Sequence, residues 1–249
     1  MAAFNKNEVV LEKIKQASLY DLEDGRLLNR LTSIEDPSLN TTAEKEEVVD
    51  AQGNTITDIY RAKKATFGGS NSLFSLDLAA SQFGATKEVA SEGAPIVNYT
   101  AETVAIAGTS AKLSYEPVTE GKDAIKYVYI IESGEIGEVA VANDGTITFP
   151  EGVSGKVYAE YAYNSEEAVR IVNRANEYPT AGKLVILALF RDKCTDKTIL
   201  GSIICPKAKL NPESVDLSLT PTGKHPFEYT MMKDFCSDEE ELFEIVLSK

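Results

Sequence analysis

The sequence is a succession of short apolar or β-branched segments that turn residues interrupt at close intervals, and this pattern constrains the fold most strongly. The interruptions are dipeptides that tolerate the positive φ angles of tight hairpins: Asp24-Gly25, Gly53-Asn54, Gly68-Gly69, Ser133-Gly134, Asp144-Gly145 and Thr222-Gly223. The segments between them predict strands at 27–34, 55–67, 73–78, 125–131, 139–142, 157–163, 184–190, 199–205, 215–220 and 242–247. We therefore expect a mainly β protein, a sandwich or barrel of antiparallel strands with one or two short helices and a long β-hairpin loop.

The residue patterns of two predicted strands indicate whether one or both faces of a sheet are buried. Val215, Leu217 and Leu219 alternate with polar residues, so this strand should bury one face and expose the other. The apolar run 184–190 is continuous and should be covered on both faces.

Two segments predict helix rather than strand. In 8–17 the apolar residues share one helical face, which predicts a short helix or a mobile arm, although Val and Ile also suit a strand. In 165–176 the spacing of Asn164 and Glu167 resembles a capping box. This favours a helix over the strand that an alternating pattern in the same segment would also allow.

Composition places the chain among globular proteins and limits its partners. Its 249 residues are 43% hydrophobic and 26% charged, enough for one large or two small domains with a packed core. The 25 basic and 39 acidic residues give a net charge of −14, which argues against docking on nucleic acid or anionic lipid. The run 184–190 is far shorter than the ~20 residues of a membrane-spanning helix. We expect a protein made in the cytoplasm that contacts no membrane.

No motif predicts catalysis, a cofactor or a metal site. His225 is the single histidine, and no nucleophile motif surrounds it. Cys194, Cys205 and Cys236 are an odd number of cysteines and lack the paired spacing of zinc ligands. Phosphate-binding glycine loops and the nucleophile elbow are absent from the sequence. We therefore predict a protein that is not an enzyme and needs no cofactor.

The strongest functional signal is a reversal of charge along one segment. Region 35–58 is acidic and poor in large apolar residues, which predicts a long exposed loop, and the strand after it is basic. The candidate contact residues are Glu44, Glu46, Glu47 and Asp50 on the acidic side and Arg61, Lys63 and Lys64 on the basic side. Two interpretations stay open. The charges could form a solvated surface of one molecule, or the acidic loop of one copy could meet the basic strand of another.

The order of these features resembles the tail tube, or major tail, proteins of tailed bacteriophages. The resemblance spans most of the chain from Ser18 onward, with the acidic stretch Thr42-Ala-Glu-Lys-Glu-Glu47 followed by the strand Arg61-Ala-Lys-Lys-Ala-Thr-Phe67. The segments that carry it are, in order, 27–36, 42–47, 61–67, 83–90, 145–149, 155–163, 178–187, 205–209, 215–219 and 225–227.

The resemblance implies a β-sandwich subunit that forms a homo-oligomeric ring, typically a hexamer, and stacked rings that form the tube of a phage tail. Such a protein is located in the virion. Its lumen would carry DNA and the tape measure protein without holding them, and the tail sheath or tail terminator would be further partners. Six copies would carry 6 × −14, or −84, per ring, and DNA would slide through a negative lumen by repulsion.

The domain organisation that follows is an N-terminal arm at 1–17 and a tail-tube-like domain at 18–249. In tube proteins the arm and the long loop reach the neighbouring ring, and 96–142 would be inserted or decorating material. Other functions stay open at this point: a capsid decoration or head–tail joining protein, a carbohydrate-binding β-sandwich, and, last, a glycosidase with two carboxylates. The carbohydrate-binding alternative requires a glycan-binding or export signal, and neither is evident in the sequence.

Overall fold

The computed structural model of the protein describes residues 8–212, 220, 223–234 and 240–248. It is mainly β with antiparallel sheets, which confirms the predicted fold class. The elements in chain order are β1 (Val9–Asp21), β2 (Leu27–Leu31), β3 (Ile34–Val49), β4 (Thr55–Asn71), α1 (Leu76–Phe83), β5 (Glu88–Val89), β6 (Ile96–Ala105), β7 (Ser110–Lys112), β8 (Tyr127–Ile130), β9 (Glu135–Glu138), β10 (Ala140–Val141), β11 (Thr146–Thr148), β12 (Lys156–Ser165), β13 (Val169–Arg170), β14 (Ala181–Asp192), β15 (Lys197–Leu210), β16 (His225–Met231) and β17 (Glu244–Ser248).

The chain divides into two units, a first unit formed by 1–87 and 171–249 and a second unit formed by 88–170. One sheet of eight strands organises the first unit, with the hydrogen-bonded order β2-β1-β14-β15-β16-β4-β3 and with β17 paired to β15 beside this path. Because β15 is 14 residues long, one of its edges holds two neighbours: residues 200–204 pair with β17, and residues 208–210 pair with β16.

The eight-stranded sheet folds back on itself around a core. The buried cluster of this unit includes Leu31 of β2, Phe67 of β4 and Leu184 of β14. Although β2 and β16 are not neighbours in the sheet, the Tyr229 hydroxyl on β16 donates a hydrogen bond to Asn29 Oδ1 on β2 at 2.7 Å. Strands from distant places in the sheet order therefore face each other across the core, as in a sandwich or barrel.

The second unit is a small antiparallel sandwich with its own core. Its larger sheet has the order β6-β12-β8-β9, its smaller sheet has the order β10-β11-β7, and β5 pairs with β13. Ile147 from the smaller sheet packs in one buried cluster with Val157 and Tyr161 from the larger sheet. The region 96–142, singled out by the resemblance, lies within this unit.

Most of the predicted strands are present. β2, β4, β8, β10, β12, β14, β15 and β17 overlap their predicted segments. β14 alternates between buried and half-buried residues, with Leu184, Ile186 and Ala188 on the buried face, so the prediction of full cover on both faces is corrected. The segment 215–219 lies outside the described residues.

Both helix predictions are wrong. Residues 9–17, expected to be a helix or an arm, belong to strand β1, because this segment, which contains β-branched residues, pairs with residues 186–192 of β14. Residues 1–7 lie outside the described residues. In 165–176 the helix is replaced by a short strand, since Val169 and Arg170 pair with Val89 and Glu88. Long-range pairing overrides the local capping signal in this segment.

Two further predictions are corrected. The segment 73–78, predicted as a strand, leads into helix α1. The Ser75 hydroxyl accepts a hydrogen bond from the Leu78 amide at 3.2 Å, and Gly84 ends the helix with a φ of 68°. Region 35–58, predicted as a loop, forms most of β3 and the start of β4, so the exposed segment is a regular hairpin.

Candidate self-assembly surface

β3 and β4 extend beyond the core as a two-stranded ribbon, residues 40–64, which contains all seven residues of the predicted charge reversal. Every residue of this ribbon is exposed except Asp50, which is half-buried. Immediately beyond it, Ala65 and Phe67 of β4 enter the core. In the described chain neither strand of the ribbon pairs with a third strand between 40 and 64. The ribbon is therefore anchored at one end and open to solvent along both faces.

Asp50 shapes the turn at the tip of the ribbon. Its carboxylate accepts hydrogen bonds from the amide of Gln52 at 2.9 Å and the amide of Asn54 at 2.8 Å. The side chain of Asn54 adds a further bond, which is the largest cause that lowers the pKa of Asp50. Gly53 completes the turn with a φ of 84°, a conformation that glycine adopts readily. Among the seven candidates, Asp50 thus has a structural role in its own chain.

The acidic and basic candidates meet within one hairpin. Arg61 Nη2 lies 3.3 Å from Glu46 Oε2, and Lys64 Nζ lies 3.9 Å from Glu44 Oε1. Glu47 pairs instead with Lys45, at 2.7 Å. These side chains are 43–74% exposed, so water screens the pairs and they contribute little to stability. Weak pairs of this kind can be exchanged for partners on another molecule.

Lys63 points elsewhere. It lines an open cleft whose other residues come from the C-terminal part of the chain: Lys233, Glu240, Glu241, Leu242 and Phe243. Alternation along a regular strand predicts that Lys63 shares a face with Arg61 and that Lys64 faces the other way, whereas the structure separates Lys63 from the ion pair of Arg61 with Glu46. The physical cause is a bulge, since Thr42 pairs with Lys64 but Glu44 pairs with Arg61, and Ala62 has a φ of 48°.

The ribbon also exposes apolar side chains that the sequence analysis missed. Ile59 lies opposite Glu46 and Tyr60 lies opposite Lys45, so the two apolar residues point to opposite faces. Tyr60 and Ile56 are each 66% exposed, and Val49 is 51% exposed. Apolar residues within an otherwise charged segment were the sequence signal that could have located this contact surface. An uncovered ribbon with apolar residues on both faces is a typical contact element.

The sheet of the first unit also has an open edge at each end of its hydrogen-bonded order. β2 and β3 end the hydrogen-bonded order, so within the described residues each has one edge without a strand partner. Open edges present unpaired N–H and C=O groups that can pair with another chain. Charged residues on β3 disfavour pairing with unrelated chains and still allow pairing with a complementary strand edge.

The remaining candidates form no reactive site. His225 is buried; its Nδ1 accepts a hydrogen bond from the Ser75 amide at 3.3 Å, and its Nε2 lies 2.8 Å from Gln82 Oε1. Burial lowers the pKa of His225, so the ring is neutral and holds the start of α1. Cys205 is buried, Cys194 is exposed, and Cys236 lies outside the described residues.

The described residues contain no group of three or more His, Cys, Asp or Glu side chains placed to hold a metal ion. No helix in the same part of the chain has the length and apolar character needed to cross a membrane.

Comparison with known proteins supplies one match. A family model described as the YomU/Tube protein family matches residues 9–245, which include the ribbon and the whole second unit. No curated protein matches the chain. The family match confirms the resemblance to tail tube proteins that the order of sequence features indicated.

Proposed function

The chain belongs to the YomU/Tube protein family, which is a family of phage structural tube proteins, and on this premise we propose that it self-assembles into stacked rings that form a phage tail tube. The tube is the conduit through which DNA leaves the virion. Copies of this chain are the principal partner, most simply six to a ring. The tape measure protein occupies the lumen before DNA does, and a tail sheath or terminator contacts the outside or the end of the tube.

The observation that carries this proposal is the uncovered ribbon 40–64. A two-stranded hairpin alone is marginally stable in water, and this one places Ile59 and Tyr60 on opposite exposed faces. Packing against a neighbouring copy would bury these apolar side chains and cover the exposed faces of the ribbon. The exposed pairs Arg61–Glu46 and Lys64–Glu44 would then exchange for pairs across the interface.

The open edges of β2 and β3 support the ring in the same way. If β2 of one copy pairs with the outer edge of β3 in the next, the two ends of the hydrogen-bonded order are joined between copies. In a closed ring every copy makes the same two contacts. Because such a head-to-tail ring closes on itself, the end strands of the sheet do not lead to unlimited aggregation.

Passive passage of DNA agrees with the charge of the chain. A net charge of −14 repels phosphate, so a tube of this protein would conduct DNA without holding it. The charge is unevenly divided: residues 88–170 have 14 acidic and 5 basic residues, a net of −9, which leaves −5 for the first unit. The sheet that forms the ring in this proposal is therefore close to balanced, which favours close packing between copies.

Electron microscopy of the purified full chain tests the function. Negative-stain images should show rings, and at high protein concentration tubes of stacked rings. Sedimentation velocity should show an oligomer that grows with concentration. A protein that stays monomeric at all concentrations and forms neither rings nor tubes would contradict the proposal.

Charge reversal tests the part played by the ribbon. The variant Glu44→Lys, Glu46→Lys, Glu47→Lys should lower the yield of tubes at least tenfold, because the ribbon becomes predominantly basic and loses the carboxylates that pair with Arg61 and Lys64. The matched control Glu92→Lys, Glu116→Lys, Glu120→Lys makes the same change of charge at exposed positions of the second unit and should assemble normally. If both triple variants assemble normally, the ribbon charges do not form a contact between copies. The electron microscopy images of the unaltered protein would still decide whether it forms a tube.

A further inference from the structure

The second unit exposes a row of aromatic side chains that the proposed tube function does not use. On β12, Val157, Ala159 and Tyr161 point into the core, so Tyr158 and Glu160 point to solvent. Tyr158 lies between Thr103 of β6 and Tyr129 of β8, and Tyr129 lies opposite Ile136 of β9. The outward face of this four-stranded sheet thus carries a continuous row of apolar and aromatic groups.

Beside this row is an open cleft of about 410 Å³ between two further tyrosines. Tyr99 of β6 and Tyr127 of β8 are 58% and 57% exposed, and both line the cleft. Glu160 and Ala162 of β12 lie between them, and the connection 121–124 closes one side. The volume falls in the range of small-molecule sites, and the lining combines aromatic and charged groups.

One wall of the cleft is held in place before any ligand arrives. The Tyr99 hydroxyl donates a hydrogen bond to Asp123 Oδ1 at 2.8 Å, from a strand to a connection 24 residues further along the chain. On the core side of the same strand, Tyr161 is buried, and its hydroxyl donates to Glu102 Oε1 at 2.6 Å, which fixes the strand beneath the cleft. A fixed aromatic wall loses little conformational freedom on binding, which favours affinity.

The side chains that line the cleft indicate which chemical class of ligand it can bind. Tyrosine rings offer apolar faces, while the Glu160 carboxylate accepts hydrogen bonds and the ammonium groups of Lys122 and Lys126 donate them. A ligand that satisfies both has C–H faces and several hydroxyl groups. Polyanions are disfavoured, because residues 88–170 carry 14 acidic and 5 basic residues, a net of −9.

We propose that this cleft, bounded by Tyr99, Tyr127 and Glu160, binds a neutral pyranose saccharide. The aromatic row from Thr103 to Ile136 extends the site along the sheet, so that a chain of several sugar units can lie across it. Because the site belongs to the second unit alone, it does not depend on the tube function. The second unit would therefore give the assembled protein contact with glycans in its surroundings.

The test uses the full chain and three neutral probes, maltohexaose, chitohexaose and mannohexaose, in calorimetric titrations. The chain has no tryptophan, so quenching of tyrosine fluorescence is a second readout. At least one probe should bind with a dissociation constant below 1 mM, and Tyr99→Ala or Tyr127→Ala should weaken binding about tenfold, the effect of losing one aromatic contact. Tyr99→Phe keeps the ring but loses the bond to Asp123, and it should give a smaller loss.

Tyr115→Ala is the matched control. Tyr115 is 51% exposed in the same unit, but it stacks on Tyr163 at a ring distance of 4.4 Å and does not line the cleft. Its removal should leave saccharide binding unchanged, and circular dichroism should show that all variants are folded.

Three results would overturn the proposal. The first is no binding of any of the three probes at 10 mM. The second is binding of choline that is lost in Glu160→Gln, which would assign the cleft to a quaternary ammonium group. The third is a change in sedimentation of Tyr99→Ala and Tyr127→Ala without saccharide binding, which would make this face a contact between copies.

Discussion

The two units of this protein are built from the same antiparallel pairing but differ in what they expose. The second unit contains 7 of the 11 tyrosines but only 1 of the 9 phenylalanines, and it holds −9 of the net charge of −14. The first unit exposes a charged ribbon with apolar residues on both faces and, within the described residues, unpaired edges at both ends of its strand order. Tyrosine suits a surface that contacts water when free and an apolar partner when bound, whereas open edges suit pairing with another chain. These differences are why we propose self-assembly for the first unit and binding of a different partner for the second.

The largest effect should come from removing one large buried side chain from the core of each unit. Phe67→Ala in the first unit and Phe149→Ala in the second should each lower the free energy of unfolding by about 3–5 kcal/mol, because both side chains are buried and leave cavities. Hydrogen exchange measured by mass spectrometry should quicken in the unit that carries the substitution and stay unchanged in the other. Leu73→Ala, at a residue that is 60% exposed, is the control. Equal quickening across both units would show that the two cores unfold as one and would break the comparison.

An intermediate effect should appear with pH, and only in the first unit. His225 is the single histidine, and burial lowers its pKa from the usual 6.5. Between the lowered pKa and 6.5 the unfolded chain binds a proton that the folded chain does not, so stability is complete above 6.5 and falls as pH decreases below it. Protonation would also place a second donor against the Ser75 amide.

Thermal unfolding from pH 7.5 to 5.5, followed by hydrogen exchange, measures this dependence. The segment around α1 should open first at low pH, and the second unit, which lacks histidine, should not respond. His225→Gln should abolish the slope in this range. A slope that persists in this variant would assign the proton to another group.

The smallest effects should come from exposed ion pairs, and a matched pair of variants sharpens the comparison. Arg61→Ala removes the ribbon pair with Glu46, and Arg170→Ala removes the pair with Glu88 in the second unit. Each should change the free energy of unfolding of the monomer by no more than about 1 kcal/mol, because the side chains are exposed. Only Arg61→Ala should lower the yield of tubes. Equal yields from both variants would mean that the ribbon charges do not act between copies.

Much of the first unit could be predicted from the sequence because its long strands are rich in apolar or β-branched residues and turn residues separate them. β4, β14 and β15 were found in this way, but only the structure showed that β14 alternates between buried and half-buried residues. Strand β1 and helix α1 were missed. β1 carries apolar residues at both helical and strand spacings, and only its pairing with β14 decides between them. For α1 the signal was present in Ser75 and Gly84, but the alternation before it favoured a strand.

The candidate surface was predicted in part. The charge reversal correctly located the exposed hairpin, because charged residues without large apolar neighbours rarely pack in a core. The pairing of Glu46 with Arg61 was not predictable, since a bulge at Ala62 shifts the register of β4 and separates Lys63 from Arg61. The row formed by Tyr158 and its neighbours was also hidden, because it joins β6, β12 and the β8–β9 hairpin, which lie far apart in the chain.

The sequence by itself determined the β class, the charge, the exposed hairpin and the membership of a tube protein family, because these depend on local patterns and on the order of features. Tertiary structure alone decided which charges pair, which edges stay open and which tyrosines share a face. Each of these depends on strand register, and a shift of one residue turns every side chain of a strand to the opposite face.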